Sequence, residues 1–406
     1  MKRRIWVLSE LYYPEESATG YYLTRIAEGL AGEFDVHVLS AQPTYLARGT
    51  RAPKIEVHAG VSIRRCSGTT FNKNNLLSRT VNLVTISISI FLRSLVELRR
   101  GDTVLAVTNP PTLPFVAALA CKVRGAQLVL KIEDLYPDAL VAAGIVRRDA
   151  LLARVFDRAQ GWLYRFATRI VVLGRDTQEI LSERHPGIAP KIVYIPHWAD
   201  LSVIRPAPRE ENRLLAKLGL GDKFVVQYSG NMGRTHDIET IVEAAASLQA
   251  EQHIHFLMIG WGGKERWLRE TCAARALSNV TVLPPLPRNE LPDSLNAADV
   301  ALVTLVGGML GVSVPSRLYN VLAAGKALIV TAHEDAEIAR VVREERVGWV
   351  VRSGDAAGLA AAIRDASADP ARLADIRGRA RAAAEQKYAW GTRYAELFRT
   401  LDPGAR

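Results

Sequence analysis

Cysteine is scarce: Cys66, Cys121 and Cys272 are the only three in 406 residues, and none belongs to a C-x-x-C pair. Their number and spacing exclude a disulfide framework and a thiolate metal site, and predict reduced thiols. The eight histidines form no ligand-spaced cluster, and D-x-D, H-E-x-x-H, G-x-S-x-G, G-x-x-x-x-G-K-[ST] and G-x-G-x-x-G are all absent. The sequence therefore predicts no bound metal and no nicotinamide dinucleotide. Long apolar runs are missing too. Val81 to Leu98 comes closest, but it contains Asn82, Thr85, Ser87, Ser89, Arg93, Ser94 and Glu97, too many polar groups for a bilayer span. Met1-Lys2-Arg3-Arg4 leads straight into the short run Ile5–Leu8 with no cleavage site, which reads as a buried strand rather than a secretory leader. Acidic residues are absent between Glu56 and Glu97, whereas Arg64, Arg65, Lys73, Arg79 and Arg93 all fall there.

What remains is a globular composition, 49% hydrophobic and 23% charged, long enough for two domains with separate cores. The net charge of +10 is uneven, since residues 1–200 carry 26 basic and 18 acidic side chains and the remainder 26 and 24. The first half is expected either to face something anionic, a phospholipid headgroup layer, or to present a basic surface to solvent. Nucleic acid is a poor fit, because the basic residues are not interleaved with an aromatic platform.

Short apolar strands alternate with amphipathic stretches throughout. Ile5–Leu8, Val36–Leu39, Thr103–Val107, Leu128–Ile132, Ile170–Leu173 and Ile192–Ile195 read as strands, with helices at Tyr21–Leu30, Pro114–Arg124, Leu151–Phe166 and Thr177–Arg184. A proline-punctuated loop from Pro196 to Pro208 interrupts the pattern. A second series follows, with strands Phe224–Tyr228, His255–Ile259, Val280–Leu283, Val300–Leu305, Leu328–Val330 and Trp349–Val351. Helices Ile238–Leu248, Lys264–Ala274, Asn289–Ala298 and Ser316–Ala323 separate them, and Leu373–Leu401 reads as a helical tail. The class is α/β, with two Rossmann-like doubly wound domains facing a central cleft. The expected division is 1–200, 201–385 and a C-terminal helix, 386–406, crossing back to the first domain.

Four segments carry candidate chemistry. Tyr13, Thr19 and Gly20 lie in a loop running into a helix, where free N–H groups can meet an anion; Thr19 is equally readable as a helix cap. Gly230, Asn231, Gly233 and Arg234 follow a strand and precede a helix, so backbone can approach a phosphate beside a cation. Pro315, Ser316, Arg317 and Leu318 open a helix where a cation opposes the dipole, as expected if Arg317 holds an anion. Arg234 and Arg317 together would clamp a diphosphate leaving group. Glu133 and Asp134 end a strand, where one would orient or deprotonate an acceptor hydroxyl, or both would serve structural hydrogen bonds.

These segments, with Ile195–Asp200, Ile259–Gly263 and Pro315–Lys326, resemble the retaining glycosyltransferases of family 4, of GT-B fold, in the branch serving bacterial O-antigen, capsule and exopolysaccharide assembly. The resemblance implies sugar transfer from a nucleotide donor, a UDP-sugar in the first instance, held by the second domain. The acceptor, a polyprenyl-diphosphate-linked glycan, would lie on the first domain, with Tyr13, Thr19 and Gly20 contributing. Arg234 and Arg317 would bind the diphosphate, with Gly230, Asn231, Gly233, Pro315, Ser316 and Leu318 around it, and no metal. Asn320 occupies the place of the second Glu in the family's Glu-x7-Glu pair, and Val312 that of the first. His236-Asp237 stands where the wider family has Lys-Gly. The implied location is cytoplasmic, peripheral at the inner face of the cell membrane on an anionic lipid surface. A nucleotide-sugar 2-epimerase of the same fold and a catalytically silent assembly scaffold are the competing readings.

Overall fold

In a computed structural model of the chain, which describes residues 2–43, 51–69, 71 and 76–402, contacts divide the protein into two units. Lys73 lies outside the described residues, and so does the side chain of Arg79.

The first unit comprises residues 1–137, 146–195 and 394–406. Its strands are β1 (Arg4–Leu8), β2 (Asp35–Ser40), β3 (Ile55–His58), β4 (Val61–Arg65), β5 (Thr103–Val107), β6 (Gln127–Ile132), β7 (Arg169–Val172) and β8 (Ile192–Tyr194). They form one sheet in the order β3-β4-β2-β1-β5-β6-β7-β8, parallel except for the β3–β4 hairpin. Helices α1 (Ala18–Leu30), α2 (Leu76–Glu97), α3 (Leu113–Arg124), α5 (Leu151–Phe166) and α6 (Arg175–Arg184) connect the strands. The central strands β1 and β5 are continuous apolar runs because the faces of a parallel sheet are covered by helices. Chain order reverses between β1 and β5, so the loops leaving these two strands flank the switch point, where open α/β sheets hold ligands.

The second unit comprises residues 138–145 and 196–393. Strands β9 (Phe224–Asn231), β10 (Ile254–Trp261), β11 (Val280–Leu283), β12 (Val300–Thr304), β13 (Ala327–Thr331) and β14 (Gly348–Val351) run parallel in the order β11-β10-β9-β12-β13-β14. Its helices are α4 (Asp138–Ala142), α7 (Arg213–Leu218), α8 (Ile238–Ser247), α9 (Glu265–Ala274), α10 (Leu291–Asn296), α11 (Arg317–Ala323), α12 (Glu337–Glu345), α13 (Ala356–Ala368), α14 (Pro370–Lys387) and α15 (Trp390–Leu401), the last of which continues into the first unit. Here the switch point lies between β9 and β12, whose ladder runs for only two pairs, Val226–Val300 and Gln227–Ala301.

Several expectations are corrected in detail. Thr19 is not a cap: α1 opens at Ala18, one residue earlier, and Ser17 occupies the cap position without a side-chain bond. The boundary expected at residue 200 lies after Ile195, and residues 138–145 pack with the second unit. The tail is two helices rather than one, because Tyr388 and Ala389 leave helical geometry to pair with Ala199. The part beyond Arg393 belongs to the first unit, where Phe398 meets Phe34 and Asp402 pairs with Arg3.

Within the second unit, Lys326 is buried and donates to the Asn296 carbonyl at 3.1 Å. Burial first, and then the charge of Arg377, push its amine down to about 8 from 10.5. The unfolded chain therefore holds this proton more tightly, so the group's contribution to stability rises with pH between about 8 and 10.5. Relative to Lys326→Met, the native protein should gain roughly 2 kcal/mol in chemical denaturation between about pH 7.5 and 9.5. A parallel response of the two proteins would refute the assignment.

Candidate functional site

The second unit's switch point is built around a missing Cβ. Gly230, next to last in β9, has φ +143°, and a side chain there would strike the Arg317 guanidinium carbon at 2.9 Å. Arg317 enters from α11, after the loop that leaves β12, and lays its guanidinium on Gly230 and over the Tyr228 ring, 4.5 Å from the centroid. Tyr228 is fully buried and donates its hydroxyl hydrogen to the Asn231 carbonyl at 2.6 Å, which fixes the ring beneath the cation. Arg317 Nη1 is buried without a hydrogen-bond partner among the described residues. A guanidinium nitrogen in that state is poised for an anion that would repay its lost solvation.

Around it the backbone closes tightly. Gly260 pairs with Gly230 across β9 and β10, and a Cβ on Gly260 would lie 1.9 Å from the Gly230 carbonyl oxygen. Asn231 is half-buried, its side chain lodged between Gly233 and Gly262, whose Cβ positions lie 3.0 and 2.7 Å from its amide atoms. Arg234 is exposed on the following loop and makes no ion pair among the described residues. The contacts of Arg317 are thus with Gly230 and Tyr228 rather than with Arg234. Pro315, Ser316 and Asn320 are half-buried, while Leu318 is buried with its N–H bonded to the Pro315 carbonyl at 3.2 Å. Val312 is also buried, consistent with an apolar side chain at that place.

Two neighbours went unassigned in the sequence. Burial, followed by the charges of Arg317 and Lys264, pushes the His236 imidazole well below its ordinary range, so it stands neutral beside the cations. Lys264 donates to the His236 carbonyl and to Glu239, each at 2.7 Å. The available signal was the parallel between Trp261-Gly262-Gly263-Lys264 at the end of β10 and Ser229-Gly230-Asn231 at the end of β9.

In the first unit, Thr108 at the end of β5 anchors the turn that carries the two carboxylates. Its hydroxyl oxygen accepts from Glu133 N at 3.0 Å and Asp134 N at 3.2 Å, and its hydrogen goes to the Asp134 carbonyl at 3.0 Å. Glu133 is paired with the buried Lys131, while Asp134 is half-buried. Tyr13 is held in place, its ring stacked 3.7 Å from His58, its N–H on Thr24 and its carbonyl receiving Arg65. Thr19 is half-buried in the first turn of α1, and a Cβ at Gly20 would meet the Glu15 carbonyl oxygen at 2.4 Å. The loop after β1 therefore folds back closely on the helix start.

Residues 17–198 match the glycosyl transferase 4-like domain, and residues 223–369 match glycosyl transferases group 1. A probable glycosyltransferase WbjE of Pseudomonas aeruginosa is 32% identical over 89% of this chain and 88% of its own length. The chain belongs to glycosyltransferase family 4. A second relative of the family, the putative colanic acid biosynthesis glycosyl transferase WcaI of Escherichia coli K12, is 28% identical over 83% of the chain and 85% of its length. This family-4 enzyme is thus a glycosyltransferase of bacterial polysaccharide biosynthesis. Its fold is GT-B, as in sucrose-phosphate synthase from Thermosynechococcus elongatus, with a TM-score of 0.78 at 18% identity over 98% of this chain and 99% of that one. HepE of Anabaena, solved in complex with UDP and glucose, has a TM-score of 0.74 at 16% identity with the same coverage.

Proposed function

We propose that this family-4 enzyme transfers a sugar, with retention and without a metal ion, from a UDP-sugar to a polyprenyl-diphosphate-linked glycan. The observation that carries the donor assignment is the buried Nη1 of Arg317 at the second unit's switch point, which has no hydrogen-bond partner among the described residues. Arg317 binds the diphosphate, with Arg234 reaching it from the exposed loop and Gly230, Asn231, Gly233, Pro315, Ser316, Leu318 and Asn320 shaping the surroundings. The HepE complex with UDP supports uracil as the base. In the step itself the bond from the sugar's anomeric carbon to the diphosphate oxygen breaks, and the acceptor oxygen takes its place on the same face. The acceptor's proton passes to the departing phosphate oxygen, whose charge Arg317 stabilises. Asp134, on the turn held by Thr108, is given the role of orienting the acceptor hydroxyl, with Tyr13, Thr19 and Gly20 on the acceptor's side of the first unit.

Calorimetric titration with UDP, GDP and ADP in the presence of a chelator tests this reading. Selective binding of UDP is the expected result. Asp134→Asn should leave UDP affinity unchanged while lowering turnover by about a hundredfold. Failure of all three nucleotides to bind would overturn the donor assignment.

A further inference from the structure

We propose that the outward side of α2, with the cationic recess beside it, docks the enzyme on an anionic phospholipid bilayer. This deepens the reading of a lipid-linked acceptor, but it rests on a different surface from the donor site. Val81, Val84, Ile88, Leu92 and Val96 recur at three- and four-residue spacing and form one stripe along the helix. They face solvent, with exposure rising from 36% at Val81 to 71% at Val96. The inward side carries the polar groups instead. Asn82, Ser87 and Ser94 are buried there with Ile86 and Ile90. Asn82 bonds both the N–H and the carbonyl of Phe71, and Ser87 meets the Thr112 hydroxyl at 2.8 Å. A helix bathed in water has the opposite polarity, so the exposed side of α2 is made for a second apolar phase.

The helix does not cross that phase. Thr80–Glu97 is long and apolar enough to span, with a mean hydropathy of 1.4, but Ile86 and Ile90 on its inward side belong to the core of the first unit. It fits a position parallel to the membrane plane, with the stripe at the boundary between headgroups and acyl chains. The stripe continues onto α3, where Leu119 and Val123 are exposed next to Lys122.

Charge identifies the occupant. Next to Leu92 and Val96 lies a recess of about 440 Å³ lined by Lys54, Arg64, Arg65 and Arg93. Among the described residues two acids balance these cations: Glu56 pairs with Arg65, whose side chain is buried, and Glu97 is shared by the more exposed Arg64 at 3.0 Å and Arg93 at 3.4 Å. A cationic recess bordering an apolar stripe reproduces the order of a bilayer surface, with lipid phosphates above acyl chains. A two-fold contact between copies, centred on the stripe, would bring two such cationic surfaces together, which the membrane does not.

Sedimentation of the full-length enzyme with vesicles tests the proposal, comparing phosphatidylcholine alone with mixtures containing phosphatidylglycerol at low and high salt. The native protein should bind the anionic vesicles preferentially. The triple variant Ile88→Ser, Leu92→Ser, Val96→Ser removes no core side chain and should lose at least about tenfold in vesicle affinity. Arg93→Gln should narrow the preference for anionic over neutral vesicles. UDP binding should be unchanged in both, so a failure here is distinguishable from a failure of the donor site. The proposal is overturned by equal vesicle binding of native and triple-serine proteins, or by no binding at low salt. A dimer that the triple variant converts to monomer, with no vesicle affinity in either protein, would overturn it too and give the stripe to a second copy.

Discussion

Arg317→Ala is expected to lower kcat/KM by about a thousandfold and to weaken nucleotide binding by at least tenfold. The guanidinium is held at the end of β9 by the Tyr228 ring and by the absence of a side chain on Gly230. A group fixed in this way does not reorganise when charge develops on a leaving phosphate, and a charge-assisted hydrogen bond there contributes about 1.5–3 kcal/mol. Because Arg317 is half-buried on the site surface, its loss opens no cavity in the core, and unfolding should change little. Arg317→Lys keeps the charge without the planar fork and should recover only part of the activity. A second readout is independent of turnover. The charge of Arg317 is one cause of the depressed His236 imidazole, so removing it should raise the His236 pKa toward the ordinary range by NMR. Unchanged nucleotide affinity and an unmoved His236 would together remove Arg317 from the site.

Gly260→Ala should destabilise the second unit by about 3 kcal/mol or more. Two effects combine at this position. Its φ of +148° lies where residues with a Cβ are strained, and the new methyl would lie 1.9 Å from the Gly230 carbonyl oxygen. That oxygen belongs to backbone in a paired strand, so relief requires β9 and β10 to separate at the end that carries the Arg317 seat. Gly263→Ala, three residues on, has no neighbour within 4 Å and should leave stability unchanged. Urea denaturation of the two variants makes the comparison, and equal midpoints would disprove the close approach.

Both predictions turn on residues that the sequence displayed unequally. Arg317 was legible because a cation in the first turn of a helix runs against the dipole and needs a reason. His236 and Lys264 were not, since His236 stands where the wider family has a cation and Lys264 lies in no such pattern. They gather around Arg317 only because the loops leaving β9, β10 and β12 converge at one switch point. Likewise, nothing in the sequence announced that Glu133 pairs with the buried Lys131. Elements followed the same division. Apolar runs such as Thr103–Val107 and Leu328–Val330 fall within β5 and β13, since complete burial leaves little freedom of reading. The β3–β4 hairpin escaped notice because its strands are short and β3 has no fully buried residue. α2 looked like a failed span because its polar residues, of which Asn82 and Ser87 are satisfied inside the unit, break the apolar run when read along the chain.

The sequence alone therefore determined the α/β class, the two-unit plan, the family motifs and the existence of a basic, acid-free stretch. These depend on local periodicity and on residue types that one segment displays by itself. Tertiary structure decided which glycine seats the arginine and which side of α2 meets solvent. Each of these is a relation between segments distant in the chain, set by strand order and packing rather than by any local preference.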